Sequence, residues 1–317
     1  MRNRKSMPAI GWNHLRWLEQ CVARGKYAIA AAFVLMTAAA IPAPALAQPP
    51  TSITACGKIT KPGLYEIDSV VIASSPSSGD CLVITAPNVS LNLNRYNIIG
   101  ATANVGIHVM KTASGTFIEG NGSTIQTFGE GIQIDAPDVG ADNFSVISNT
   151  DAGVLLNKVM QADLSNFYAA GNKNDGVRIV AGSYNILQMP VISGNGRFGV
   201  WVESSSHNSV GNFDVNNNPL AGVYIGCSQA GPRSLCSRGA KTSDYNNLFS
   251  GTVGIYSSGE QQYGVAIDQG DSFNRVVNVR AWQDNEVDLL DVNSDCGTNY
   301  WFAEPILGLV EPPVCIN

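Results

Sequence analysis

Residues 172–203 read NKNDGVRIVAGSYNILQMPVISGNGRFGVWVE, and the same phrase occurs in them twice. Asn172 is followed four residues later by Gly176 and "GVRI"; Asn195 is followed four residues later by Gly199 and "GVWV". Outward from this pair, the motif of Gly, aliphatic, any residue, aliphatic returns as "GIHV" at Gly106, "GIQI" at Gly131 and "GVLL" at Gly153. It continues as "GVYI" at Gly222 and "GVAI" at Gly264, and the steps from Gly153 to Gly222 are 23 residues each. Asn149, Asn172, Asn195 and Asn218 keep that phase, as do Asn143, Asn166 and Asn212, with Met189 in place of the fourth. The residues after this second series are Phe144, Phe167, Pro190 and Phe213. Three columns held in register over four periods mark a structural repeat.

Each motif is a short run rich in Val and Ile, and the residues between runs are Gly, Asn, Asp and Ser without a helical period. Coils of about 22–23 residues with two or three short strands describe an all-β solenoid, in which each coil buries its aliphatics against the next. This reading also disposes of "GNGRFG" at 194–199, which spells the G-x-G-x-x-G of a dinucleotide loop. Such a loop needs its last glycine to open a helix, whereas Gly199 opens the strand "VWV", so no nucleotide is expected.

The first 47 residues read as an export leader: a basic start (Arg2, Arg4, Lys5), the apolar run "YAIAAAFVLMTAAAI" and the small-residue site "ALA" at 45–47. A mature chain from Gln48 is expected, secreted or periplasmic. Its apolar run is shorter than the roughly 20 residues that span a bilayer, and no later stretch is long enough. The chain has 19 basic and 25 acidic residues; the leader takes six and one of them, leaving thirteen against twenty-four and a net charge of −11. Such a domain repels nucleic acid, and it holds an acidic polysaccharide only through a local basic spot or a bridging cation. Six cysteines remain after Cys21 leaves, which suits disulfides in an exported protein. Sequence order pairs Cys56 with Cys81, Cys227 with Cys236 and Cys296 with Cys315, although other pairings stay open.

The repeat resembles the right-handed parallel β-helix proteins of the pectate-lyase-like class, including the bacterial parallel-β-helix-repeat proteins. "CGKITKPGLYEI" at Cys56 is similar to their entry segment, and "APNVSLNLNRYNIIGA" at Ala86 and "GTFIEGNGSTIQTFGEGIQI" at Gly115 are similar to their first coils. The resemblance implies a helix domain over 48–292, with a loop insertion at 227–245 and a C-terminal cap at 293–317. The terminal cysteine pairs would then tie the two ends. Chemistry in this class is usually done on acidic polysaccharides, by lyases, hydrolases or epimerases.

Side chains alternate between the faces of a strand, so the residue between the two motif aliphatics faces outward. That column reads His108, Gln133, Leu155, Arg178, Trp201, Tyr224 and Ala266. Two residues further on, also outward, stand Asp135 and Glu203 among others. With coils about 4.8 Å apart, Trp201 and Tyr224 form an aromatic patch suited to sugar rings, beside Arg178 and Glu203. The competing reading packs both rings under the Cys227–Cys236 loop and pairs Arg178 with Glu203 or Asp175.

For a lyase or epimerase, Arg178, Glu203 and Asp175 are the catalytic candidates and Trp201, Tyr224 and Gln133 the substrate contacts. Calcium is the cofactor such chemistry would take, with Asp135 and Asp151 as candidate ligands. The hydrolase pattern is only partly met, by "NTD" at Asn149–Asp151 and "ND" at Asn174–Asp175, and no Arg-Ile-Lys follows. An inverting pair needs carboxyls about 6.5–9.5 Å apart in one groove. The Asp-Pro-His motif of the alginate-acting relatives is absent, and His108 and His207 read as separate surface residues. Two functions stay open: a carbohydrate-active enzyme, with lyase or epimerase ahead of hydrolase, and a non-catalytic glycan-binding or surface solenoid.

Overall fold

The computed structural model describes residues 49–73, 79–101, 104–234, 241–254, 261–282, 284, 286–302, 309–312 and 316. The chain divides into two units, Met1–Ala47 and Gln48–Asn317, and the expected leader lies outside the described residues. The larger unit is a right-handed parallel β-helix. One coil shows the plan: Val177–Val180 on the glycine-motif face, Ile186–Gln188 on a second face and Val191–Ser193 on a third. Among the described residues, eleven strands stack on the glycine-motif face, from Gly57–Ile59 to Val310–Glu311. The other two faces are linked where Phe117–Gln126 and Gly140–Ile147 run through both. Among the described residues every strand pair is parallel, and the one short helical turn is Ser294–Cys296.

The motif aliphatics fill the interior. Val154, Val177, Val200, Val223 and Val265 stack in successive coils and are completely buried. Burial of each such side chain contributes about 1.5–3 kcal/mol, so the column alone supplies a core along the axis. The motif glycines sit where one coil comes close to the next. A Cβ on Gly153 would lie 2.7 Å from the Gly176 carbonyl oxygen, and one on Gly199 only 2.5 Å from that of Gly222.

The asparagines close the turns. Asn149 Nδ2 donates to Asn172 Oδ1 (2.9 Å), Asn172 Nδ2 to Asn195 Oδ1 (2.8 Å) and Asn195 Nδ2 to Asn218 Oδ1 (3.0 Å), all buried. A second buried ladder, Asn185 to Asn208, Asn246 and Asn274, runs along the turn after the glycine-motif strands. The Asn143, Asn166 and Asn212 column has a different cause. These residues and Met189 all adopt left-handed backbone, with φ between 51° and 54°, a conformation that Asn tolerates well.

At the N-terminal end a disulfide joins Cys56 to Cys81 across neighbouring strands. Cys227 and Cys296 are also disulfide-bonded, while their expected partners, Cys236 and Cys315, lie outside the described residues. Toward the other end Trp301 is buried, and its Nε1 donates to Asp291 Oδ2 at 2.9 Å.

Candidate functional site

The outward column of the glycine-motif face has the register its spacing implies: His108 pairs with Gln133, Gln133 with Leu155, Leu155 with Arg178, Arg178 with Trp201 and Trp201 with Tyr224. The expectation of an exposed aromatic patch is corrected, because Trp201 and Tyr224 are both fully buried. Outside the sheet they form a second apolar cluster with Phe198, Tyr263, Ala266 and Leu290. The chain that leaves the Ala221–Ile225 strand folds back over them. Trp201 Nε1 donates to the Gly226 carbonyl at 2.8 Å, and the Tyr224 hydroxyl donates to Asp268 at 2.6 Å and accepts from the Ser228 amide. Both polar handles therefore have a partner inside the packing, and no ring face is left for a ligand.

Charge gathers at the N-terminal margin of this cluster. The Arg178 guanidinium lies 4.3 Å from the centre of the Trp201 ring and is paired with Glu203 at 2.6 Å. Arg197 lies 5.1 Å from the same ring and is paired with Asp175 at 2.6 Å. Stacking a guanidinium on an aromatic face lets it shed water at low cost, which explains why two cations converge on one indole. Asp175 is fully buried; burial pushes its carboxyl up, and the Arg197 hydrogen bonds and charge act in the other direction. Each arginine spends Nε and Nη2 on its carboxylate, and the Nη1 amino group of neither makes a hydrogen bond among the described residues. Both side chains are about one-fifth exposed, so these donors reach the surface.

This arrangement brings together four expected residues, Arg178, Glu203, Asp175 and Trp201, together with Arg197, which the sequence reading passed over. Gln133 stands two rungs away, about 10 Å at ordinary strand spacing, and binds Asp135 through Nε2 at 3.1 Å. Asp135 also accepts from Asn157, and it holds one side of His108 (2.8 Å) while Asp80 holds the other (2.6 Å). Burial acts to lower the His108 pKa, but the hydrogen bonds and charges of Asp135 and Asp80 outweigh it and raise the value. His108 is thus a clasped imidazole rather than a separate surface residue.

The calcium pair does not come together. Asp135 is engaged as described, Asp151 accepts from Asn174 at 2.6 Å, and no three His, Cys, Asp or Glu side chains among the described residues converge to hold a metal. The hydrolase pair is likewise unavailable, since Asp175 is buried against Arg197 and does not share a groove with Asp151.

Among solved structures, the chain resembles the Dettilon tailspike protein, with a TM-score of 0.63 and 14% identity, over 78% of this chain and 52% of that one. A periplasmic alginate epimerase aligns more loosely, with a TM-score of 0.49 and 12% identity, over 80% of this chain and 69% of that one. The chain thus spans about half the length of the tailspike it matches, and these likenesses concern the fold. No curated protein matches the sequence. Residues 65–263, more than half of the chain, match the family described as "Periplasmic copper-binding protein (NosD)", and the chain belongs to that family.

Proposed function

We propose that the chain is an extracytoplasmic, non-catalytic glycan-binding β-helix that holds an acidic sugar at Arg178 and Arg197. One observation carries this reading: two partly exposed guanidiniums share one indole, and each keeps an amino group without a partner among the described residues. Their carboxylate partners and the indole fix their planes, so a uronate carboxylate would meet preoriented donors. In a domain as acidic as this one, such a spot is where an anionic chain gains a foothold. Gln133, about 10 Å along the same face, supplies a neutral contact for a neighbouring sugar.

The pairing of the candidates supports binding over catalysis. A base must be free to take a proton. Arg178 is tied to Glu203, Asp175 is sealed beneath Arg197, and His108 has a carboxylate on each ring nitrogen. An extracytoplasmic setting is supported by the family description and the disulfides.

Copper, which the family description names, calls for imidazole, thiolate or thioether donors. The residues present do not fit it. Both nitrogens of His108 are taken, and His207 does not converge with two other His, Cys, Asp or Glu side chains among the described residues. Cys56, Cys81, Cys227 and Cys296 are in disulfides, and no three His, Cys, Asp or Glu side chains among the described residues form a metal-holding group.

The test is a panel of uronate polysaccharides, with and without calcium, followed by calorimetry, absorbance of unsaturated product, reducing ends and NMR of uronate composition. Binding that Arg178→Ala weakens by about tenfold or more, without product or epimer, is the expected result. Unsaturated product or changed uronate composition would show an enzyme instead. Absence of binding across the panel would end the proposal.

A further inference from the structure

The turn between the glycine-motif face and the second face carries a column with left-handed backbone on successive coils. Its φ values are 54° at Asn88, 55° at Asp138, 61° at Gln161 and 57° at Tyr184. They continue at 60° for His207, 59° for Tyr245 and 57° for Phe273. That conformation suits Gly, Asn and Asp and disfavours bulky residues. Asn88, Gly115 and Asp138 obey the rule, Gln161 breaks it, and the next four rungs break it with aromatic rings. The rings stack at centroid distances of 4.8, 4.9 and 4.8 Å, yet Tyr184, Tyr245 and Phe273 remain 53%, 49% and 47% exposed. The Asn185 ladder directly beneath already closes the turn, so the fold has no need of rings at this position. Strain kept for side chains that face water is a signature of function.

Inside the stack each ring face is covered by its neighbour. Tyr184 is the ring at the N-terminal end, and an open groove of about 880 Å³ lies there. Met160 and Ile186 give it apolar walls, and Gln161, Asp163 and Asp138 give it polar ones; no Lys or Arg lines it. It extends from the Asp138 coil to the Ser209 coil, about 14 Å at ordinary strand spacing.

We infer that this groove binds an uncharged sugar chain, with one sugar ring stacked on Tyr184 and its hydroxyls donated to Asp138 and Asp163. The apolar face of a sugar ring suits an aromatic neighbour, and carboxylates are strong acceptors for hydroxyl donors. The same two carboxylates, with no Lys or Arg in the lining, repel a uronate. The site lies on another face from Arg178 and Arg197 and does not depend on them.

Calorimetry with neutral hexasaccharides of glucose, mannose, xylose and N-acetylglucosamine, and with hexamannuronate as the charged comparison, tests the inference. At least one neutral chain should bind, Tyr184→Ala should weaken it about tenfold or more, and Asp163→Asn about fivefold. Arg178→Ala should leave it unchanged. Tyr184→Asn separates ligand binding from folding, because Asn suits the left-handed backbone: the thermal midpoint should hold while binding is lost. Failure of every neutral chain to bind, or binding that survives Tyr184→Asn, overturns the inference. If hexamannuronate alone binds, in a manner that depends on Arg178, the guanidinium site stands and this one falls.

Discussion

On the glycine-motif face the rings of Trp201 and Tyr224 are fully buried, whereas at the adjoining turn those of Tyr184 and Tyr245 stand about half exposed. Both columns start polar near the N-terminal end and become aromatic along the stack, and both stack ring upon ring. What separates them is chain outside the repeat. The segment after Ile225 doubles back over Trp201 and Tyr224 and supplies Gly226 and Ser228 as partners, and nothing among the described residues does the same for Tyr184. Aromatic character sets what a rung is able to do, and the insertion decides whether solvent reaches it.

That contrast has energetic consequences. Trp201→Ala should open a cavity and cost about 3–5 kcal/mol in urea denaturation. Tyr184→Ala should stay within about 1 kcal/mol, since it removes an exposed ring and relieves nothing but its own strain. Equal losses at the two positions would break the comparison.

The next effect in size belongs to the margin of the sealed cluster. Arg197→Ala strands the buried Asp175 carboxylate and should cost about 3 kcal/mol, most of which Asp175→Asn in the same chain should restore. If the double variant is no more stable than Arg197→Ala, the arginine acts through its packing on Trp201 and Phe198 instead.

The smallest effect is at His108, at the polar start of the outward column. Its folded pKa is raised, so the clasp is fully stabilising below its ordinary value near 6.5 and is lost as pH climbs through the raised value. Thermal midpoints taken from about pH 5 to pH 9 should therefore fall faster for the native chain than for His108→Gln. Parallel profiles would mean that the clasp contributes nothing.

The spacing of Asn and Gly was enough to give the coil, the three-column phase and the register that places Arg178 beside Trp201 and Trp201 beside Tyr224. Period-two alternation tells which side of a sheet a side chain leaves by. It is silent on what lies over that side, which is why the sequence left open whether the rings are exposed or covered. Arg197 sits in "GNGRFG", where the glycines drew attention. The signal for it was the acid Asp175 in the equivalent turn one coil earlier. The His108 clasp depends on Asp80, which lies before the first glycine motif, and no repeat-based reading reaches it. The left-handed ladder was hidden for another reason: φ has no letter in the sequence when Tyr, His and Phe occupy a conformation that normally calls for Gly or Asn.

The close approach of each motif glycine to the carbonyl of the next fixes the unit in which this molecule changes length. A single extra residue inside a strand would swing the following aliphatics to the outer face. The turns, by contrast, absorb extra residues: Gly106 and Gly131 are 25 apart, Gly222 and Gly264 are 42 apart, and both pairs keep the contact. A whole duplicated coil would add one rung to every ladder and disturb none. Growth, shortening and grafting in this architecture therefore proceed by whole coils, and a binding face can be lengthened in steps of about 4.8 Å without redesign of its neighbours.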